Sequence, residues 1–315
     1  MTVLTPAHVA YVERVERRLE AAVGDGAAVS EAGSQTLRSG GKRLRPLLVH
    51  LCAPAPAREA EPVVMAGCAV ELIHMATLVH DDQLDAAPLR RGRPTVWATH
   101  GPEVASATGD YLFARAFAEL TATGDMPAVA ILSDACLALA QGEILQREQA
   151  GSPDTTVDQY LARCLLKTGH LFAAAAMLGG RLGRADDAVL AALDRFGRAL
   201  GLAFQIADDI LDCDGDPQTT GKPLGTDLLD GTVTLPLILA GGRDPQVREV
   251  IVRGARPEDV LPTLNRVVAS GALVDARVHA RRHAEQAEAA LDEVAGMVEA
   301  DLLRQAVRGA VDRSA

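Results

Sequence analysis

Aromatic side chains occupy only 3% of the 315 positions. Sheets draw on aromatic and β-branched residues, and no stretch alternates apolar with polar residues, so a β-rich fold is disfavoured. Cysteine is sparse too. Cys52, Cys68, Cys136, Cys164 and Cys213 are odd in number, scattered and without CxxC spacing. That argues against a disulfide scaffold and a zinc ribbon, and leaves reduced, mostly buried thiols in a cytoplasmic protein. Positive charge is in deficit, the formal net charge being −11. Nucleic acid or an anionic membrane is therefore disfavoured as the main partner. Glu13, Arg14 and Glu16 leave no early apolar run for a signal peptide. No window reaches the roughly 18 uncharged apolar residues expected of a membrane span. Serine–histidine and cysteine–histidine pairings, His/Cys metal clusters and GxxxxGK[ST] are all missing.

What is present is helical. Hydrophobic residues make up 48%, and Ala, Leu, Arg and Glu are abundant. Thr5-Pro6 reads as a helix start, with an apolar pattern at Val9, Val12, Val15 and Leu19. Helices are expected over 28–39, from Pro46, up to Pro88, from Gly109-Asp110 to Leu120, over 127–148, over 155–183 and in four segments from 246 to 311. Arg90, Arg91 and Arg93 are expected on a loop.

The chain is organised around residues 68–97. Cys68 to His80 carries one charge, Glu71, and reads as a buried helix. It ends in Asp81, Asp82 and Asp85, followed by Arg90, Arg91 and Arg93. Asp81 and Asp85 are one helical turn apart, and they lie at the helix end where the dipole already disfavours negative charge. The arrangement recurs: a nearly uncharged run from Gly197 ends in Asp208, Asp209 and Asp212. Two apolar helices with the same acidic ending point to cation binding, and all-oxygen ligands suit Mg²⁺ shared with phosphate.

Cations complete the inventory. Gly40-Gly41-Lys42-Arg43-Leu44-Arg45-Pro46 is a basic turn opening a helix, suited to phosphate. Lys167-Thr168 sits in an apolar setting, and Lys222 lies on a glycine-rich loop. Gly197 and Gly201 cost roughly 1 kcal/mol each mid-helix. Either ligand space or close helix packing accounts for them. The inventory fits two diphosphate ligands, one held through metal and one directly by cations, with a hydrocarbon tail in an apolar cavity.

These motifs together resemble the trans-type polyprenyl diphosphate synthases, over nearly the whole chain. They are Gly-Gly-Lys42-Arg43-Leu-Arg45-Pro, Glu71-Leu-Ile-His74, His80-Asp81-Asp82-x-x-Asp85, Leu89-Arg90-Arg91-Gly, Lys167-Thr168, Phe204-Gln205-Ile-Ala-Asp208-Asp209-Ile-Leu-Asp212 and Gly221-Lys222-Pro. The resemblance implies one all-α domain over 1–315, a helical bundle around a deep central cavity, usually a homodimer with three Mg²⁺ ions. Asp81, Asp82, Asp85, Asp208, Asp209 and Asp212 would belong to the metal site. Arg90, Lys167, Gln205 and Lys222 would contact the allylic diphosphate. Lys42, Arg45, His74 and Arg91 would hold isopentenyl diphosphate. Lys167 and Thr168 would act near the developing cation.

Product length is assigned by the same resemblance to Ala76 and Thr77, small residues where an aromatic would close the tunnel early. Ile73, Val70, Phe113 and Phe117 are the next candidates for its floor. A geranylgeranyl or longer product is expected, with a longer polyprenyl chain favoured. Thr232 departs from the family pattern, standing where a lysine would contact the allylic diphosphate. Other readings remain, the first a geranylgeranyl or farnesyl diphosphate synthase. A non-catalytic subunit of a heteromeric synthase would typically have lost metal carboxylates, which this chain retains. A class I terpene cyclase would not need the second cationic site made by Lys42, Arg45 and Arg91.

Overall fold

The computed structural model of the protein describes residues 5–24, 28–215 and 223–312. Lys222 and Gly221 therefore lie outside the described residues. Sixteen α-helices are described: α1 Pro6–Val23, α2 Ala28–Arg38, α3 Leu44–Cys52, α4 Glu61–Leu84, α5 Val96–His100, α6 Pro102–Thr121, α7 Met126–Gln149, α8 Val157–Cys164, α9 His170–Leu182, α10 Asp187–Asp214, α11 Thr226–Leu229, α12 Leu235–Gly241, α13 Pro245–Arg253, α14 Val260–Ala269, α15 Ala272–Asp292 and α16 Ala300–Asp312. The only strands among the described residues are β1 (Leu89–Arg90) and β2 (Arg93–Pro94), paired antiparallel.

Two compact units divide the chain. One comprises Met1–Cys136, Ala174–Asp194 and Glu293–Leu303; the other comprises Leu137–Ala173, Arg195–Asp292 and Arg304–Ala315.

In the first unit α4 is the central element. Pro62 occupies its first turn, where a missing N–H costs nothing. Almost every residue from Val63 to Ala76 is buried, so the helix is apolar on all sides. Its one mid-helix charge, Glu71, is buried and paired with Arg43 Nη1 at 2.9 Å. Helix α1 packs through Tyr11, Val15 and Leu19, all fully buried. Val9 instead is 45% exposed, so the apolar stripe is rotated from the expected Val9 register. Tyr11 causes the rotation: its hydroxyl donates to the Val63 carbonyl at 3.2 Å, and its ring stacks on His50 at 4.2 Å. Gly67 makes room, because a Cβ there would lie 2.2 Å from the Tyr11 hydroxyl.

Helix α6 starts at Pro102, so Gly109 lies inside it and does not open it. A Cβ at Gly109 would sit 2.0 Å from His80 Nε2, so the glycine is there for a close approach to α4. Ser106 donates to Gln83 at 3.0 Å. These two contacts fix α4 and α6 as antiparallel, which brings Phe113 and Phe117 alongside the stretch of α4 that precedes His80.

In the second unit Tyr160 and Cys164 of α8 share a buried core with Leu202, Ala203, Ile206 and Ile210 of α10. Residues 155–183 are not one uninterrupted α-helix. α8 passes into a π-helical turn, Leu165–Gly169, before α9 begins. Such turns recur at functional sites because they re-aim side chains. Gly197 and Gly201 are explained by packing: a Cβ on them would lie 2.4 Å from the Ala173 Cα and 2.6 Å from the Gly169 Cα. The ligand-space alternative is not needed for either.

Three helices are long and apolar enough to cross a membrane, which corrects the expectation that no window comes close. They are Glu61–Leu84, Met126–Gln149 and Val157–Leu182, whose windows are 78%, 33% and 61% buried. Protein core accounts for the first and third, and α7 stands apart.

Candidate active site

The first unit holds one acidic cluster, at the C-terminal end of α4. Asp81 is half-buried and Asp82 buried, while Asp85 is exposed and caps the helix with its N–H on the Asp81 carbonyl at 2.9 Å. Arg90 Nε donates to Asp82 Oδ1 at 2.8 Å. The arginine expected at the allylic diphosphate thus already neutralises one carboxylate of the triad.

The expected loop at 90–93 is a hairpin. Arg91 (φ 51°) and Gly92 (φ 72°) are both left-handed, the requirement of a two-residue type I′ turn. A non-glycine residue there costs of order 1 kcal/mol. Arg43, which caps α3, has φ 47°. Both strained arginines lie over the same loop. Arg91 Nη1 donates to the Gly40 carbonyl, and a Cβ on Gly41 would lie 2.9 Å from Arg43 Nη1 and 3.1 Å from Arg91 Nη1. Gly40-Gly41 is therefore the contact that brings the basic turn to the hairpin.

His74 reports the resulting field. Burial first, then the charges of Arg45, Arg91, Arg90 and Arg43, hold its imidazole well below the ordinary value. Arg45 is lowered to about 10 by burial, opposed by Glu71 and aided by Arg91, and it stays cationic at neutral pH. Three of the four residues expected at isopentenyl diphosphate, Arg45, His74 and Arg91, are thus within electrostatic reach of one another. Lys42 is exposed beside them. Arg43 has a different task. It is 6% exposed and tied to Glu16 at 2.5 Å and Glu71 at 2.9 Å. Sequence alone did not separate it from its basic neighbours.

The second unit holds the other acidic cluster. Asp208 and Asp212 on α10 are half-buried, and Asp209 is buried. Both Asp209 oxygens have partners: Tyr160 Oη donates to Oδ2 at 2.6 Å, and Gln205 Nε2 donates to Oδ1 at 2.8 Å. Burial raises the Asp209 carboxyl to about 7, against those two hydrogen bonds. Asp212 accepts from the backbone N–H groups of Thr226 (3.1 Å) and Asp227 (3.2 Å), and so anchors the segment after residue 222.

Thr168 Oγ1 donates to Gln205 Oε1 at 2.7 Å, so two expected site residues meet directly. Lys167 Nζ pairs with Glu143 Oε2 at 2.6 Å. Lys167 lowers the Glu143 carboxyl against its burial, with Arg147 helping. Gly142 permits this approach, since a Cβ there would lie 2.7 Å from the Lys167 backbone nitrogen. Glu143 was missed from sequence; its only signal is the Gly beside it. Thr232 sits in a loop fixed by its own N–H on the Asp227 carbonyl (2.8 Å) and by Arg163, which is buried and donates to the Val233 carbonyl at 2.7 Å.

Among the residues proposed to set product length, Ile73 and Ala76 are fully buried. Thr77 is half-buried and donates to the His74 carbonyl at 2.8 Å; Phe113 and Phe117 are half-buried, and Phe113 stacks on His80 at 5.9 Å.

The metal-binding character rests on donor chemistry. Among the described residues no three His, Cys, Asp or Glu side chains converge as a ready-made ion cage. Mg²⁺ does not require one: it is commonly held by one or two carboxylates, with substrate phosphates and waters completing the octahedron. Within each unit the half-buried carboxylates, Asp81 in the first and Asp208 and Asp212 in the second, have the donor chemistry for that role.

The fold and these residues define an all-helical protein with one acidic cluster in each unit, the first tied to Arg90 and the second joined through Gln205 to Thr168. Residues 27–263 match the family model described as polyprenyl synthetase, and the chain belongs to that family. It is 39% identical over 251 residues to heptaprenyl diphosphate synthase component 2 of Geobacillus stearothermophilus, covering 80% of this chain and 77% of that one. It is 36% identical over 268 residues to octaprenyl diphosphate synthase of Escherichia coli, covering 84% and 83%. The structure of a Caulobacter crescentus polyprenyl synthase, described as complexed with calcium and isoprenyl diphosphate, superposes with a TM-score of 0.90 at 34% identity, covering 98% of this chain and 96% of that one.

Proposed function

We propose that this protein is a polyprenyl diphosphate synthase that condenses isopentenyl diphosphate with an allylic diphosphate, head to tail, giving a longer all-trans polyprenyl diphosphate. The observation that carries the reading is an acidic triad ending each of two apolar helices, the first tied to Arg90 and the second joined through Gln205 to Thr168, next to Lys167, in a chain of the polyprenyl synthetase family. The whole chain acts as one catalytic domain. Asp81, Asp82, Asp85, Asp208 and Asp212 belong to the Mg²⁺ site, three ions being expected, and Asp209 holds it from behind. Bound Mg²⁺ supplies charge neutralisation for the departing diphosphate.

The residues do the rest. Arg90, Lys167, Gln205 and Lys222 orient the allylic diphosphate as its C–O bond breaks and the electron pair leaves with diphosphate. Lys42, Arg45, His74 and Arg91 hold isopentenyl diphosphate, with His74 neutral among the arginines. The isopentenyl double bond attacks the allylic cation, and a proton is lost to the released diphosphate. Lys167 and Thr168 act near that cation. The product is of geranylgeranyl length or longer, the longer class favoured because Ala76 and Thr77 are small.

The protein works in the cytoplasm as a homodimer. Exposed Met126, Leu137 and Ile144 on α7 fall on one face at about 100° per residue, an apolar stripe that a second copy would cover. The relative named as component 2 supports a heteromeric assembly as the second reading. Purified protein with Mg²⁺, isopentenyl diphosphate and an allylic diphosphate is expected to release diphosphate and lengthen the chain. Asp81→Ala and Asp208→Ala are expected to cut turnover by orders of magnitude without unfolding. Full activity in either variant would remove the metal assignment, and light scattering on the active sample decides the assembly.

A further inference from the structure

Helix α8 carries no residue with an assigned role, yet its one fully buried tyrosine is wired to the site. Tyr160 is 0% exposed and 8 residues before Thr168, which places both on the side of this segment that meets α10. The contacts form a chain with a direction. Tyr160 Oη donates to Asp209 Oδ2 at 2.6 Å, Gln205 Nε2 donates to Asp209 Oδ1 at 2.8 Å, and Thr168 Oγ1 donates to Gln205 Oε1 at 2.7 Å. Both Asp209 oxygens accept here, Oδ2 from Tyr160 and Oδ1 from the Gln205 NH₂, so Asp209 sets which end of the Gln205 amide faces it. With the NH₂ turned to Asp209, the amide oxygen faces Thr168, and the threonine hydroxyl must donate to it. The hydroxyl hydrogen is thereby spent, and what Thr168 has left to offer is oxygen lone pairs.

We infer that Tyr160 is a positioning residue for the prenyl transfer, setting through Asp209 and Gln205 the orientation of the Thr168 hydroxyl so that its oxygen, not its hydrogen, is presented to the allylic cation. This rests on the proposed synthase activity and extends it to a residue that touches no substrate. Tyr160 is suited to the task. Its hydroxyl fixes the carboxylate rotamer, and its ring is held by the Arg163 guanidinium 5.5 Å above it. Arg163 is itself clamped by Gln149 and the Val233 carbonyl, each at 2.7 Å. The oxygen would act only while positive charge develops, as the C–O bond breaks and its electron pair departs with diphosphate. An interaction made only in the transition state changes kcat and leaves KM alone.

The test is Tyr160→Phe in the full-length protein with Mg²⁺, isopentenyl diphosphate and an allylic diphosphate. Expected is a loss in kcat of roughly 10- to 100-fold, the range seen for outer partners of a site, with both KM values and half-saturating Mg²⁺ within about threefold. In a Thr168→Val background the same substitution is expected to have no further effect. An allylic diphosphate carrying fluorine at C2, which disfavours the cation, is expected to be slowed more in Tyr160→Phe than in wild type. Asp209→Asn is the independent variant. It keeps the volume but can donate, so it lets Gln205 reverse and Thr168 turn its hydrogen outward; its kcat is expected to fall at least as far. Unchanged kcat in Tyr160→Phe, or in Asp209→Asn should the first variant melt below the assay temperature, overturns the inference. So do additive losses with Thr168→Val, or equal fluorine effects. If wild type itself forms no longer prenyl chain, the synthase reading fails instead.

Discussion

Lys167 and Glu143 meet at 2.6 Å, and each is less than a third exposed. The ion pair joins α7 to the π-helical turn and gives the lysine a fixed direction before any substrate arrives. A lysine ammonium has three donors, and Glu143 takes one of them. Glu143→Gln removes the charge and keeps the size. Lys167 then has to be ordered at the moment of binding, against about 2 kcal/mol of rotamer entropy, part of which the ion pair had already met. The allylic KM is expected to rise about 3- to 10-fold in Glu143→Gln and further in Lys167→Ala, the two effects being less than additive. Steady-state kinetics of the double-mutant cycle check this, and strict additivity would separate the pair from the substrate.

Adjacent cations in the basic turn should behave oppositely. Arg43 is buried against Glu71, which is itself 3% exposed within α4. Removing one partner leaves a buried charge uncompensated, at about 3–5 kcal/mol. Arg43→Ala and Glu71→Ala are therefore expected to lower the melting temperature strongly. Lys42→Ala, at an exposed position, is expected to leave melting unchanged and raise the KM for isopentenyl diphosphate. Thermal denaturation and initial rates on the same preparations distinguish the two roles.

Both Asp-rich motifs, the basic turn and the Lys-Thr pair were legible because each is a local violation of what a helix tolerates. Repeated carboxylates at a helix C-terminus and a lysine in an apolar stretch demand an explanation from sequence alone. What could not be read were the partners, since Glu143, Tyr160 and Arg163 are ordinary helix residues whose roles arise only when α7, α8 and α10 pack. The hairpin was missed for a related reason. Its turn is Arg91-Gly92, and arginine is not among the residues that favour φ above zero. Gly109 reads as a helix start because a glycine shows where a chain can turn but not where a neighbour needs space. His80 supplies that need.

Acid should destabilise the protein through His50. Burial pushes its imidazole down to about 3, with His8, Arg58 and Arg14 adding repulsion and the Arg58 hydrogen bond opposing. The unfolded imidazole titrates near its ordinary value of about 6.5, so between pH 6.5 and 3 the unfolded chain binds the extra proton. Stability is full above that range and falls as pH drops through it, by about 2 kcal/mol at pH 5. His50→Phe keeps a ring on Tyr11 and is expected to flatten this slope. Urea denaturation at pH 7.5 and 5.0 checks it, and an unchanged slope in the variant would place the proton uptake elsewhere.

Product length depends on what fills the space beside α4 below its triad. Ala76 and Thr77 lie five and four residues before Asp81, roughly 6–8 Å along the helix at about 1.5 Å per residue. Neither is aromatic, so no floor closes at this depth from α4. The antiparallel register with α6 brings Phe113 and Phe117 alongside, and these half-buried rings are the next side chains large enough to stop growth. The two small positions differ in burial. Ala76 is fully buried, so Ala76→Tyr adds volume to a packed site at about 1–3 kcal/mol. Thr77 is half-buried, and Thr77→Phe has room to swing. Both are expected to shorten the product, with Thr77→Phe the better folded of the two. Phe117→Ala is expected to lengthen it or leave it unchanged. Mass spectrometry of products at saturating isopentenyl diphosphate, alongside a melt of each variant, reads all three. Wild type is expected to give geranylgeranyl diphosphate or a longer chain; farnesyl diphosphate as its sole end product would mean that the floor lies on a helix other than α4 and α6.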